Sequence, residues 1–124
     1  MNNNDMETDF LLKIFRILGD QTRLTLFNIL LKGDHCNCEL VALTGYSTNL
    51  ISHHMHVLVD AELIDARRKA DDARWIIYSI NKDQLGRLRL LLGNWIDQES
   101  IPEREPCCQT KQNDLITEVK DESI

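Results

Sequence analysis

Apolar positions recur at helical spacing over residues 7–18, and Gly19 ends the run, which predicts a first helix. Asp20 suits the N-cap of a second helix, and Lys32-Gly33 suits its end. Arg23 is expected to be a solvated residue of that helix's first turn. The stripe predicted to be buried in the second helix consists of Leu24, Phe27, Leu30 and Leu31.

The middle of the chain is typical of a helix-turn-helix followed by a hairpin. A short helix from about Cys38 to Thr44 ends at the Gly45-Tyr46 turn, and Ser47 caps a further helix that runs to about Ala61. Two strand-like runs follow, at residues 63–68 and 74–80. Residues 70–73 lie between these runs and are expected to form the tip of the hairpin, which would be a wing.

The last predicted helix, over residues 82–96, carries a strong apolar stripe. We interpret this stripe as a dimer surface, with packing onto the first helix as the alternative. Both prolines lie beyond it, in a charged tail that we expect to be mobile without ligand. The predicted fold is therefore mainly α with a small β-hairpin, a homodimeric winged helix-turn-helix over residues 1–98 with a flexible acidic tail over 99–124. The apolar stripe of the last predicted helix, residues 82–96, consists of Leu85, Leu88, Leu91, Leu92 and Trp95.

The helix after the Gly45-Tyr46 turn has the two faces that a recognition helix needs. Its apolar residues Ile51, Met55 and Leu58 fall on one side. Short polar side chains fall largely on the other, where they would suit base edges in the major groove. No pair among its histidines has the i, i+4 spacing with which two imidazoles share one ion, so a metal site there is disfavoured. The predicted DNA-facing residues are Thr48, Asn49, Ser52, His53 and His56.

The net charge of −6 is concentrated in the tail. Residues 97–124 hold eight acidic and three basic residues, a net charge of −5, which leaves only −1 for residues 1–96. In that near-neutral part a short stretch contains four bases, the local pattern that phosphate binding requires. Acidity is thus weak evidence against a DNA partner. The predicted phosphate contacts are Arg67, Arg68, Lys69 and Arg74.

The four cysteines form two close pairs, Cys36 with Cys38 and Cys107 with Cys108. No apolar run approaches the roughly 20 residues of a membrane span, and the N-terminus is acidic, so we expect a cytoplasmic chain with reduced thiols and no membrane partner. Thiolates favour soft ions, and a position at the start of a helix is expected to lower the thiol pKa. Each thiol pair could instead form a disulfide as a redox switch.

A thiol reductase is the enzymatic alternative, and the pattern disfavours it. Reductases place their cysteine motif after a strand in an α/β fold, whereas no strand is predicted before Cys36. The chain also lacks a glycine-rich phosphate loop. We therefore expect no enzymatic activity.

Three motifs, in the correct order over roughly residues 8–96, resemble the ArsR/SmtB family of winged-helix metalloregulators. "HCNCEL" is similar to the family's C-x-C phrase at the start of the third helix, and "LGDQTRLTLFNIL" to its second-helix signature. Glu62 stands where the family usually has glycine. The recognition-helix pattern is matched by Ser47, Ile51, Ser52, His54, Met55, Leu58, Ala61 and Leu63.

The resemblance implies a homodimeric repressor that binds operator DNA and leaves it when an inducer binds. The family's zinc-type site on the final helix is absent, because residues 82–96 contain no histidine. Arsenic sensors of the family often take a third thiol from the position that is Val41 here, so Cys107 and Cys108 are expected to complete the site with Cys36 and Cys38. The implied inducer is arsenite or antimonite; cadmium, lead or zinc bound by both pairs, or a redox signal, are the alternatives.

Overall fold

The computed structural model describes residues 3–107 of the 124-residue chain. Five α-helices accompany a small antiparallel sheet, and a 3-10 turn follows the last helix at Gln98–Ser100. The order along the chain matches the predicted winged helix-turn-helix. The elements are α1 (Asn3–Leu18), α2 (Gln21–Leu30), β1 (His35–Cys36), α3 (Asn37–Thr44), α4 (Thr48–Asp60), β2 (Ile64–Lys69), β3 (Asp72–Ile80) and α5 (Lys82–Trp95).

One hydrophobic core joins all five of these helices. Ile14 of α1, Leu26 of α2 and Leu40 of α3 are fully buried, and the predicted stripe of α4 is buried with them. Tyr78 of β3 and Leu88 and Leu91 of α5 close the core. The periodicity of the sequence therefore identified the inner face of α4 correctly.

The inner face of α2 was predicted only in part. Phe27 and Leu30 are buried together with Leu26, but Leu24 and Leu31 are 43% and 49% exposed. Positions 26, 27 and 30 form the face of α2 that is buried in the core, whereas Leu24 and Leu31 lie outside it. Helix α1 also begins earlier than predicted, at Asn3, with Asp5 favourably placed in its first turn.

The sheet has three strands in the order β1–β3–β2, and both pairings are antiparallel. Strand β1 is a correction to the predicted two-stranded wing: His35 pairs with Tyr78 and Cys36 with Ile77. Cys36 thus lies in a strand itself. The hairpin turn is also shorter than predicted, since only Ala70 and Asp71 lie between β2 and β3.

Helix α4 ends in a Schellman motif that turns the chain into the wing. The Leu63 N–H donates to the Leu58 carbonyl at 3.1 Å, and the Glu62 N–H donates to the Val59 carbonyl at 2.9 Å. Leu58 and Leu63 are both in the core. The motif requires a left-handed residue between them, and Glu62 takes that conformation with φ 62°. This is the backbone reason why glycine is the usual residue at this position.

Candidate metal site and nucleic-acid interface

The first cysteine pair lies where β1 meets α3. The Cys36 and Cys38 sulfurs are 2.6 Å apart, with Cys36 half-buried and Cys38 exposed. Cys36 has extended backbone angles as the N-cap of α3, and its N–H donates to Glu39 Oε1 at 2.9 Å. This geometry leaves both sulfurs directed to the same side, where they can act together as ligands.

The residue between the two cysteines ties them to the wing. Asn37 Nδ2 donates to the carbonyl of Arg74, and the N–H of Ile76 donates to Asn37 Oδ1, both at 3.4 Å. Asn37 therefore holds the start of α3 against strand β3. A displacement of the cysteine pair would act directly on the wing.

A cleft of about 380 Å³ opens beside the two sulfurs. Its walls combine thiols, two acidic and two basic side chains, and apolar surface. Arg67 and Lys69, which were predicted as phosphate contacts, line the same cleft as the cysteines. The lining residues are Asp34, Cys36, Cys38, Glu39, Arg67, Lys69, Trp75 and Ile77.

The pKa of the Cys36 thiol is raised, contrary to the lowered pKa expected at a helix start. Burial is the main cause, and the hydrogen bond with Cys38 adds to it. The hydrogen bond that the Glu39 backbone N–H donates to the Cys36 side chain works in the opposite direction. Burial outweighs any benefit from a helix of eight residues, so an ion that binds Cys36 must displace its proton.

Of the two tail cysteines, the structure describes Cys107, which does not line this cleft. Cys107 is exposed and is not among the residues that line the cleft, and Cys108 lies outside the described residues. Over residues 3–107, no three His, Cys, Asp or Glu side chains are grouped to hold a metal ion. His35 turns its Nδ1 to the Gly33 carbonyl at 2.7 Å, which supports the loop before the site. Among the described residues, the donors at this cleft that fit a soft ion are therefore Cys36 and Cys38.

The outer face of α4 presents the side chains predicted to read DNA. Ser47 caps the helix, and its Oγ accepts a hydrogen bond from the Leu50 N–H at 3.1 Å. The five predicted positions are all exposed on the surface of α4, opposite its buried face. These are Thr48, Asn49, Ser52, His53 and His56.

A polar network that the sequence analysis did not predict connects α2 to α4. His54 is 9% exposed, and its Nδ1 lies 3.1 Å from Arg23 Nη1. Because a guanidinium only donates, that ring nitrogen is the acceptor. Arg23 Nε also donates to the Ile17 carbonyl at 2.7 Å, and Asp20 Oδ1 lies 4.0 Å from His54 Nδ1. Arg23 is thus half-buried and hydrogen-bonded to α4, which corrects the prediction of a solvated residue.

The bases of the wing are exposed but face nearby carboxylates. Arg67 Nη1 lies 3.6 Å from Asp34 Oδ2, and Lys69 Nζ lies 4.0 Å from Asp71 Oδ2. Arg74 is held more firmly, since Nε and Nη2 donate to the two oxygens of one carboxylate at 3.1 and 2.8 Å. That carboxylate belongs to Asp72, whose pKa is lowered by the bond, while the pKa of Arg74 is raised. The wing is therefore a surface of mixed charge, and Arg74 is already bidentately paired.

A separate apolar surface lies between α1 and α5. The rings of Phe15 and Trp95 are 5.8 Å apart, and Trp95 is 61% exposed. With Leu12, they border a cavity of about 650 Å³. The α5 stripe packs in part as the alternative interpretation predicts, since Leu88 and Leu91 are buried in the core and Trp95 contacts Phe15 of α1. The dimer surface stays a prediction.

None of the helices described here has the length and apolar character needed to cross a membrane.

Comparison with known proteins shows that residues 20–66 match the family described as bacterial regulatory proteins of the arsR family. The arsenical resistance operon repressor of Staphylococcus aureus is 38% identical over 68 residues, which are 55% of this chain and 62% of that protein. This chain thus spans about three fifths of that relative. The transcriptional repressor SdpR of Bacillus subtilis is 32% identical over 68 residues, 55% of this chain and 72% of that protein.

Solved structures agree on the fold. One is the homodimeric winged helix-turn-helix domain, residues 1–100, of a possible ArsR-family regulator from Mycobacterium bovis. It matches with a TM-score of 0.60 at 20% identity, over 85% of this chain and 96% of that one. The resemblance inferred from the three motifs is therefore confirmed. This chain belongs to the ArsR family of bacterial regulatory proteins, which is a family of regulators and not of enzymes.

Proposed function

We propose that this chain is a homodimeric transcriptional repressor that binds operator DNA and is released when arsenite or antimonite binds its cysteines. The observation that carries the proposal is the position of the Cys36 and Cys38 sulfurs, side by side at the junction of the wing sheet with the helix-turn-helix. An ion at this junction would lie next to the wing and at the start of α3, the helix that packs against α4.

The DNA-binding part of the proposal rests on α4 and the wing. Exposed donors and acceptors on α4, Asn49 among them, are suited to base edges, and its N-terminal end would enter the major groove. Arg67 and Arg68 of β2 are exposed and would contact phosphates on the flank. Two protomers related by a two-fold axis would read two half-sites, with the apolar α1–α5 surface as their interface.

The inducer part rests on the donor set. A trivalent arsenic centre takes three thiolates, and the described cleft supplies two of them. When arsenite binds, each of three As–O bonds is replaced by an As–S bond; three thiol protons leave with three hydroxyl groups as water. We propose that Cys107 and Cys108 supply the remaining thiol, from the same subunit or from its partner. The 11 residues from Ile96 to Cys107 span at most roughly 35 to 40 Å, enough to cross a small domain.

Release follows from coupling between the two sites. A ligand shifts the DNA-binding equilibrium only by its difference in affinity for the two states, and couplings are typically about 1 to 3 kcal/mol. Asn37 and the β1–β3 pairing supply the physical connection from the thiols to the wing.

The decisive experiment is an operator-binding titration of the full chain under reducing conditions. Arsenite, antimonite, cadmium, lead and zinc are compared side by side by fluorescence anisotropy. We expect release by the two trivalent ions alone. Release by cadmium, lead or zinc would favour a four-thiolate sensor, and release only after the reductant is removed would favour a redox sensor.

A further inference from the structure

We propose that the acidic segment Glu103–Cys107 docks against the basic wall of the cysteine cleft when the inducer is bound, and there competes with the DNA backbone for the wing. This inference rests on the proposed function, because the shared ion is what brings Cys107 to the cleft. It adds an electrostatic route to release, in which the protein's own carboxylates take the place of DNA phosphates.

The first support is the composition of the cleft. Arg67 and Lys69 line it together with Cys36 and Cys38. Any chain segment whose cysteine shares an ion with this pair is therefore held beside two basic side chains of the wing. The same two side chains are the ones that a bound operator would approach with its phosphates.

The second support is the spacing within the tail. Glu105 and Glu103 precede Cys107 by two and four residues, so an extended chain holds them within roughly 7 and 14 Å of it. Alternate residues of an extended chain point to the same side, which places Glu103 and Glu105 together and turns Arg104 away. Pro106 favours the extended conformation at Glu105. All five residues of the segment are exposed and available.

The third support is that the present partners of the two bases are easily exchanged. The Arg67–Asp34 and Lys69–Asp71 pairs measure 3.6 and 4.0 Å, and all four side chains are more than half exposed. Exposed ion pairs of this kind contribute little to stability. Replacing Asp34 or Asp71 by a tethered glutamate therefore costs little, and the two added charges repel an approaching phosphate backbone.

The test uses the full chain with Glu103→Gln and Glu105→Gln together. The control, Asp9→Asn with Glu99→Gln, removes the same charge from exposed positions farther from Cys107 along the chain. Arsenite binding is followed by calorimetry on the DNA-free protein, and operator affinity by anisotropy with and without arsenite at two salt concentrations.

We expect the double variant to bind arsenite as the wild type does and to bind the operator equally without it. With arsenite, its operator affinity should exceed that of the arsenite-bound wild type by roughly three- to tenfold, with the larger gain at low salt. The control should behave as the wild type. Glu103→Lys with Glu105→Lys should strengthen the effect.

Equal release of wild type and double variant, with equal arsenite binding, would overturn the docking of this segment and leave the proposed function intact. A wild type that binds no arsenite, or binds it and keeps the operator, would refute the proposed function itself, and the docking with it. The two failures are thus distinguished by the wild-type measurement alone.

Discussion

Cys36 and Arg67 lie on opposite sides of the same residue, Ile77, in one row across the three-stranded sheet. Cross-strand partners share a face, and all three side chains border the same cleft. A thiol proposed to bind the inducer and a base proposed to bind DNA are therefore separated by a single strand. This short connection explains how a small ion could act on a wing without a long chain of intermediate residues.

Replacing Cys36 or Cys38 by serine should separate the two activities. Each variant removes an anchoring thiolate but keeps a similar volume, so operator binding should persist while arsenite no longer causes release. Anisotropy with and without arsenite measures both properties, and circular dichroism checks the fold. Full release of both variants by arsenite would show that the anchoring ligands lie elsewhere.

Truncation after Ser100 tests the proposed role of the tail in the response to arsenite. It removes both tail thiols and six of the eight acidic residues of positions 97–124 while leaving α1 through α5 intact. We expect operator binding at least as tight as that of the full chain and no response to arsenite in the same assay. A complete response would mean that the tail cysteines do not take part.

Changing Arg67 and Arg68 together to alanine should weaken binding to all DNA about equally. The logarithm of the binding constant falls as the logarithm of salt concentration rises, and each lost phosphate contact reduces the steepness of this fall by about 1. The slope should therefore become shallower by up to about 2. A salt series on specific and random duplexes measures this. Lys13→Ala with Lys82→Ala, bases on other elements, is the matched control. An unchanged slope in the Arg67/Arg68 variant would remove the wing from the DNA interface.

Glu62→Gly should stabilise the protein. Glu62 has φ 62°, a conformation that costs a residue with a Cβ about 1 to 2 kcal/mol. Glycine avoids this cost but gains freedom in the unfolded chain, so we expect a net increase of about 0.5 to 1 kcal/mol in the free energy of unfolding. Urea denaturation at fixed protein concentration measures it. Glu62→Ala keeps the Cβ and should give no such gain; equal stability of the two variants would contradict the strain.

Asp20→Asn should reduce the acid sensitivity of folding. The hydrogen bond from the Arg23 N–H is the main cause that lowers the pKa of Asp20 below its ordinary 3.8. A lowered pKa in the folded state contributes stability that is present above the unfolded-state pKa and is lost as pH falls through the folded-state value. Asparagine still caps α2 but carries no charge.

The measurement is the free energy of unfolding of both proteins from neutral pH to roughly pH 2. Below about pH 4 the wild type should lose its advantage in the free energy of unfolding over Asp20→Asn. The reason is that the Asp20 carboxylate takes up a proton more readily in the unfolded chain than in the folded protein. Asp9→Asn controls for removal of an exposed charge. Parallel curves for wild type and Asp20→Asn over the whole range would contradict this account.

Local patterns were sufficient for the order of the elements and for much of the core. The spacing of Ile51, Met55 and Leu58 identified the buried face of α4 because a helix repeats every 3.6 residues whatever it packs against. Ser47 and Asp20 were identified as caps because capping depends on neighbours two or three residues away. The closeness of Cys36 and Cys38 likewise follows from their spacing in the sequence, and their role as ligands stays a prediction.

Contacts between distant residues supplied the rest. Strand β1 is two residues long and has no period of its own; it exists because His35 pairs with Tyr78, 43 residues later. The Arg23–His54 bond joins residues 31 positions apart, so nothing in the first turn of α2 reveals it. Leu24 is as apolar as Leu26, and its exposure depends on which face of α2 the other helices cover. Periodicity is a property of the chain near one residue, whereas burial and strand pairing depend on what folding brings next to it.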